Sequence, residues 1–179
     1  MDKRAAHELV AAFMGGLAPW VQGLGGADAL PPMPGLNIAS YGRMVVPASL
    51  DQLDVVNEFI SRELEEYDCP MPVQMQLDVA LEEMFVNVCH YAYPEATPEN
   101  PGEARISFEY EPNPPSLTVQ IVDDGIPYNP LAKPDAVTPD DIMEVPIGGL
   151  GILMAKKSVD EMTYERMGDS NVLTFRKGW

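Results

Sequence analysis

Two polar residues one helical turn apart, Glu83 and Asn87, interrupt the apolar stretch LEEMFVNVCHYAY, Leu81 to Tyr93. Residues i and i+4 lie on one face of a helix, and burying a carboxylate or an amide is unfavourable unless it has a partner. An asparagine offers a neutral oxygen to a divalent cation, and a glutamate can orient or deprotonate a bound water or hydroxyl. The alternative is a solvent-facing helix edge, or a pair that caps another element.

A second polar feature is Asp123-Asp124-Gly125, which directly follows the strand-like run LTVQIV. A carboxylate at a strand end can accept a hydrogen bond from the exocyclic amine of a ligand. A glycine two residues later lets that ligand approach the backbone, because glycine has no Cβ. Asp and Gly are also ordinary turn residues, so a strand-ending turn without chemistry is the alternative.

A glycine-rich run, Gly148-Gly149-Leu150-Gly151, opens a segment with helical character. Exposed backbone N–H groups and the positive end of a helix dipole both favour an anion, so a phosphate cradle is one interpretation. The run is not a Walker P-loop, since no Gly-Lys-Ser/Thr follows, and it lacks the βαβ context of a dinucleotide site. A flexible hinge is the alternative.

Hydrophobic periodicity, a capping box at Ser49 to Gln52 and a proline at position 72 predict the elements that position these residues. The predicted elements are a strand at 43–46, helices at 49–67 and 72–91, strands at 104–110 and 117–122, a helix at 148–159, and strands at 160–166 and 171–176. This order predicts an α+β fold, a two-layer α/β sandwich. We expect its mixed, mostly antiparallel sheet to carry the helices on one face.

Glycine and proline divide the chain. Residues 1–40 are predicted to be an N-terminal arm with a Gly/Pro-rich linker, and residues 41–179 a single domain. Residues 126–147 are Pro-rich, acidic and irregular. A connection of about twenty residues is unusually long, and loops of that length are often functional lids.

Composition excludes several classes of function. Lys plus Arg is 11 and Asp plus Glu is 28, a formal charge of −17, so we expect no nucleic-acid partner. Cys69 and Cys89 stand far apart without a CxxC motif, and the only histidines are His7 and His90. A disulfide framework, a zinc site and a multi-histidine metal site are therefore not expected. No apolar run approaches the ~20 residues of a membrane span, so we expect no membrane segment and a cytoplasmic protein.

The three boxes occur in a specific order: Glu-x-x-x-Asn on a helix, Asp-x-Gly after a strand, and Gly-x-Gly before a helix, with a long loop between the last two. In this order the sequence resembles the GHKL (Bergerat-fold) ATP-binding superfamily. It is most similar to the bacterial anti-sigma-factor serine/threonine protein kinases. The resemblance covers about residues 42–178, from VVPASLDQLDVVNEFI to NVLTFRK, and leaves out the arm.

The resemblance implies a role for each matched residue in binding ATP and Mg²⁺. Asn87 would ligate Mg²⁺, Glu83 would act as catalytic base or hold a water, and Asp123 would read the adenine amine beside Gly125. Residues 148–151, which are Gly148, Gly149, Leu150 and Gly151, would cradle phosphate. The threonine that touches adenine in the family would be Thr174 or be replaced by Asn171. Residues 126–147 would form the ATP lid.

The resemblance also implies partners. We expect a homodimer that binds a sigma factor and phosphorylates a serine or threonine of an antagonist protein, which would regulate transcription. One alternative is a nucleotide-binding switch that sequesters a sigma factor or other regulatory partner without catalysis. Another is a structural protein that has lost ATP. A histidine kinase is less favoured, because the sequence leaves no room for a phosphoacceptor helix pair.

Two positions and the long loop depart from the family pattern. Tyr91 stands where a histidine is frequent, four residues after Asn87, and Pro127 stands where a second glycine is usual. The loop 126–147 contains a single cation, Lys133, among four acidic residues. Phosphoryl transfer generally uses cations to stabilise the transferred group. These departures concern catalysis more than nucleotide binding.

Overall fold

The structure is a computed structural model that describes residues 40–132 and 149–179. In these residues a five-stranded sheet packs against three α-helices. The elements are β1 (Ser40–Pro47), α1 (Leu53–Glu66), α2 (Met71–Asn87), β2 (Glu103–Pro112), β3 (Pro115–Asp123), α3 (Gly149–Ser158), β4 (Glu161–Met167) and β5 (Ser170–Gly178). Their order and the α+β two-layer architecture are those predicted from the sequence.

The strand order is β1-β2-β3-β5-β4, and each of the four pairings is antiparallel. The described sheet is therefore wholly antiparallel rather than mixed. β3 lies at its centre, between β2 and β5. The register of β3 against β5 places Asp123, the last residue of β3, directly opposite Asn171.

The hydrophobic core lies between the helices and one face of the sheet. Each helix contributes the apolar side of its surface, and each central strand contributes alternate residues, as the periodicities of helix and strand require. The largest fully buried side chains are Phe85, Phe108, Phe175, Ile60, Leu64, Leu77, Leu81, Met84, Ile106, Leu117, Ile121 and Val56. Each such side chain contributes roughly 1.5–3 kcal/mol through burial, which fixes α2 firmly on the sheet.

Several boundaries differ from the sequence prediction, including those of β1 and α2. β1 begins at Ser40, which pairs with Tyr110, so the strand is longer than predicted and Ser40 belongs to the domain. α2 ends at Asn87, and the chain continues through a π-helical turn, Val88–Ala92. Such turns occur often at functional sites, because they reposition the residues around them.

Some predictions lie outside the described residues. They concern residues 1–39 of the arm, residues 133–147 of the loop, and Gly148. Among the residues that are described, no helix is both long enough and apolar enough to cross a membrane.

Candidate functional site

A small cavity opens between the C-terminal part of α2, the π-helical turn and the ends of β3, β4 and β5. Its lining combines apolar walls with a few polar groups: Met84, Asn87, Val88, Ala92, Asp123, Tyr128, Pro130, Tyr164, Asn171 and Leu173. Apolar walls with a few convergent polar groups are typical of small-molecule sites. The volume of about 30 Å³ has room for about two waters, so a larger ligand must displace part of the wall.

Asp123 provides the carboxylate of this cavity. Its side chain is buried, and its Oδ1 accepts hydrogen bonds from the backbone N–H of Gly125 at 2.9 Å and from Asn171 Nδ2 at 2.8 Å. Its Oδ2 has no hydrogen-bond partner among the described residues. Burial raises the pKa of Asp123, and the Asn171 and Gly125 hydrogen bonds oppose that rise. One oxygen thus holds the loop, and the other is left for a donor in the cavity.

Gly125 is required by the close approach of the π-helical turn. A Cβ at this position would lie 2.2 Å from the carbonyl oxygen of Ala92. The next residue, Ile126, donates its backbone N–H to the same oxygen at 2.8 Å. The group that approaches is the backbone of the turn. The sequence prediction that Gly125 also makes room for a ligand stays a prediction.

Asn171 connects Asp123 to β4 and to the loop after β3. Its Nδ2 donates to Asp123 Oδ1 and, at 2.9 Å, to the carbonyl of Ile126. Its Oδ1 accepts from Tyr164 OH at 2.8 Å, from Arg166 Nη1 at 2.9 Å and from the N–H of Tyr128 at 3.3 Å. The amide therefore links three parts of the chain around one carboxylate.

Tyr164 and Arg166 were not singled out from the sequence. The signal that could have found them is the dipeptide Gly168-Asp169 between the two predicted strands 160–166 and 171–176, which is typical of a hairpin turn. A two-residue turn pairs Met167 with Ser170, and therefore Arg166 with Asn171, as the structure does. The predicted hairpin register alone therefore places a cation opposite Asn171.

Thr174 does not lie at the cavity, which corrects one of the predicted contacts. It is three residues from Asn171 along β5, so its side chain lies on the opposite face of the sheet. Its Oγ1 accepts a hydrogen bond from Gln120 Nε2 at 3.2 Å on that face. Of the two positions proposed for the family's threonine, Asn171 is the one beside Asp123.

Asn87 reaches the cavity from the last turn of α2. It is buried, and its Nδ2 donates to the carbonyl of Glu83 at 2.6 Å. Its Oδ1 has no hydrogen-bond partner among the described residues, so the atom suited to a cation is available. Within the described part of the chain, no group of three or more His, Cys, Asp or Glu residues could hold a metal. A cation here would depend on Asn87, waters and ligand oxygens, which is the usual situation for Mg²⁺.

Glu83 lies one turn earlier on α2 and does not line the cavity. Its carboxylate lies against the first turn of α3, where a Cβ on Gly151 would be 1.9 Å from Glu83 Oε2. The structure thus brings Glu83 of the Glu-x-x-x-Asn box next to Gly151 of the Gly-x-Gly box. Asn87 of the first box lines the same cavity as Asp123. A catalytic role requires the Glu83 side chain to reach the reacting atoms from this position.

The glycine run lies at the start of α3. α3 begins at Gly149, and Leu150 in its first turn is 45% exposed. The backbone N–H groups of a first helical turn have no acceptor within the helix, so those of this turn suit a bound anion. The dipole of this helix favours negative charge near its first turn. Gly148 lies outside the described residues, so the run is placed only from Gly149 onward.

Two tyrosines stand at the edge of the cavity. Tyr91, in the π-helical turn, is 43% exposed and stacks on Tyr128 with ring centroids 5.2 Å apart. Tyr128 follows the Asp-x-Gly box and lines the cavity. The stacked pair therefore connects the exposed Tyr91 to a residue of the cavity wall.

Comparison with known proteins identifies the family. The profile of the histidine kinase-like ATPase domain matches residues 46–177, which span most of the chain. The chain belongs to this family. Membership implies that the domain binds ATP, and the matched range contains the residues of the cavity. A search of curated proteins finds no significant match.

Two solved structures are similar to this histidine kinase-like ATPase domain. One contains the RsbU and RsbW domains of a protein from Mycobacterium tuberculosis, at 13% identity and a TM-score of 0.52, covering 76% of this chain and 32% of that chain. The other is the SiaB–SiaC complex from Pseudomonas aeruginosa, at 16% identity and a TM-score of 0.53, covering 79% of this chain and 90% of that chain. At these identities the likeness concerns the fold.

Proposed function

We propose that this protein binds Mg-ATP in the cavity and phosphorylates a serine or threonine of a protein antagonist, as an anti-sigma-factor-like regulatory protein. The observation that carries the proposal is the buried Asp123 carboxylate, whose Oδ2 is left for a donor at an apolar cavity. An adenine amine is such a donor, and the rest of the purine is apolar enough to pack on Met84, Val88 and Leu173.

The remaining site residues supply the phosphate end. Asn87 Oδ1 would hold Mg²⁺, and the backbone N–H groups at the start of α3, from Gly149 to Gly151, would receive the phosphates of ATP. For Gly148 the same role stays a prediction. Mg²⁺ contributes neutralisation of the phosphate charge when it is bound. Glu83 would accept the proton of the serine or threonine hydroxyl as its oxygen attacks the γ-phosphate and ADP leaves. The Glu83 carboxylate lies against the first turn of α3, where Gly151 has no side chain to displace it.

The partners are inferred more indirectly. The sequence resembles anti-sigma-factor kinases, and the two similar structures contain an RsbW domain and a SiaB protein in complex with SiaC. The two structures support a regulatory protein antagonist as a partner. A sigma factor, in addition or instead, and a homodimer as the working form are proposed from the sequence resemblance alone. The strongly acidic chain favours partners with a basic docking surface.

A second candidate function is a nucleotide-loaded switch that holds its partner without phosphorylating it. The position of Glu83 favours this candidate, because its carboxylate lies against Gly151 rather than in the cavity. The same nucleotide site serves both functions. They differ only in whether the γ-phosphate is transferred.

One experiment separates these functions. Calorimetry measures Mg-ATP binding to the purified chain, and proteins that co-purify from the native cell are then incubated with the chain and labelled ATP. The kinase proposal expects saturable ATP binding and label on a serine or threonine of one partner. Binding without label supports the switch. Absence of ATP binding contradicts both.

A further inference from the structure

We infer that Arg166 is a positioning residue for base recognition, which acts through Asn171 to hold Asp123 and the Asp-x-Gly loop in their binding geometry. The inference rests on the proposed function of the cavity. It concerns a residue of β4 that none of the sequence boxes contains. Its basis is the hydrogen-bond network around Asn171.

The hydrogen-bonding capacity of Asn171 is fully used within the protein. A side-chain amide has two N–H donors and an oxygen with two lone pairs. Both donors are engaged, by Asp123 Oδ1 at 2.8 Å and the Ile126 carbonyl at 2.9 Å. Two short hydrogen bonds, from Tyr164 OH at 2.8 Å and Arg166 Nη1 at 2.9 Å, already fill the oxygen. Asn171 therefore has no group left for a ligand.

The network also fixes which way the amide points. Asp123 Oδ1 and the Ile126 carbonyl can only accept here, while Arg166 can only donate. Rotating the amide by 180° would place its oxygen against two acceptors and its NH₂ against the guanidinium. Asn171 is thus held in one orientation, and that orientation turns an N–H toward Asp123.

Arg166 anchors two points of this arrangement with one nitrogen. Its Nη1 donates to Asn171 Oδ1 and, at 2.9 Å, to the carbonyl of Gly125 in the Asp-x-Gly loop. The side chain therefore ties β4 to both β5 and the loop. Without Arg166 the Gly125 carbonyl loses a hydrogen bond from a charged donor, and such a bond is roughly twice as strong as one from a neutral donor.

The charge of Arg166 also bears on the ionisation of Asp123. Burial and the negative charge of Asp124 raise the pKa of Asp123. The hydrogen bonds from Asn171 and the Gly125 N–H and the positive charge of Arg166 lower it. Arg105 is paired with Asp124 at 2.6 Å instead. Removing the charge of Arg166 raises the pKa of Asp123 further. Because the ionised carboxylate is the stronger acceptor for an amine, the loss of ATP affinity on acidification then begins at a higher pH.

The test compares Arg166→Met with Arg166→Lys and with Arg176→Met. Arg176 lies further along β5 and pairs with Glu111 and Ser116, away from the cavity. Calorimetry measures the ATP dissociation constant of each variant from pH 5 to pH 8, with thermal melting as the check of folding. We expect Arg166→Met to bind ATP about tenfold more weakly, which is the scale of one hydrogen bond to a charged group. We also expect its acid limb, the pH range over which ATP affinity falls on acidification, to shift to higher pH.

The controls separate charge from geometry. Arg166→Lys is expected to bind more weakly than wild type while keeping the wild-type acid limb, because it retains the charge but not the bridging geometry. Arg176→Met should match wild type in both. An Arg166→Met protein with wild-type affinity and acid limb overturns the inference. If that variant does not fold, Arg166→Lys with wild-type affinity overturns it. Failure of wild type to bind ATP contradicts the proposed function instead.

Discussion

The two ends of the site differ in how far the protein alone completes them. At the base end, a hydrogen-bond network joins Asp123, Gly125, Asn171 and Arg166. Within the described residues this network leaves Asp123 Oδ2 without a partner. At the phosphate end, Asn87 has an amide oxygen without a partner among the described residues, and a helix begins beside Glu83. The base end of the proposed site is preorganised, whereas its phosphate end would be completed by a cation and by the phosphates of the ligand.

This difference indicates how binding and chemistry are divided. Preorganised groups recognise a ligand without further ordering, so they contribute to affinity directly. Groups that depend on the ligand and a cation contribute mainly to the reaction or to the response to Mg²⁺. Nucleotide binding can therefore persist in a chain of this kind even where transfer does not.

The largest effect is expected at the phosphate end, on transfer alone. Glu83→Ala should lower transfer to the partner by about 10²–10⁴-fold, the usual contribution of a general base, while ATP affinity changes little. Transfer is measured with labelled ATP and affinity by calorimetry. Glu82→Ala is the matched control, because Glu82 is exposed and its carboxylate accepts from Asn57 on α1. Retained transfer in Glu83→Ala would remove Glu83 as the base.

A second substitution tests the base end through its packing. Gly125→Ala places a Cβ 2.2 Å from the Ala92 carbonyl oxygen, so the Asp-x-Gly loop and the π-helical turn must separate. Forcing extra atoms into packed structure costs roughly 1–3 kcal/mol, which thermal melting detects, and ATP affinity should fall as well. Gly178→Ala is the control, since its Cβ would meet only ordinary contacts from 3.4 Å. A Gly125→Ala protein as stable as the control would contradict the described packing.

The smallest effect is expected from the cation. Removing Mg²⁺ with EDTA should weaken ATP binding to wild type by about tenfold, on the order of 1.4 kcal/mol, and Asn87→Ala should weaken it to a similar degree. In Asn87→Ala, EDTA should add little, because the two changes remove the same contact. An ATP affinity of wild type that does not respond to EDTA would exclude Asn87 as a Mg²⁺ ligand.

The sequence was sufficient for the fold because its local signals agree with one another. Apolar residues such as Val56, Ile60 and Leu64 recur at helical spacing on α1, and LTVQIV has the composition and length of a buried strand. The order of these elements leads to the two-layer sandwich that the structure shows. The cavity residues Asp123 and Asn87 also stood out, since each is polar in apolar surroundings.

What could not be predicted depends on contacts between distant parts of the chain. The π-helical turn ends α2 early where the Ala92 carbonyl receives the N–H of Ile126, a contact that no local signal encodes. The choice between Asn171 and Thr174 required the pairing register of β5, which decides the face of the sheet. The role of Arg166 required both the hairpin and the loop after β3.

The most direct test of the account is the affinity of Asp123→Asn for Mg-ATP, measured by calorimetry beside wild type and Asp124→Asn. Asp124 pairs with Arg105 and does not line the cavity, so its substitution controls for the loss of a charge at the strand end. We expect Asp123→Asn to bind ATP more than tenfold more weakly, because an amide can present N–H to an amine and loses a charge-assisted hydrogen bond. Equal affinities of Asp123→Asn and wild type would contradict the assignment of this cavity as the nucleotide site.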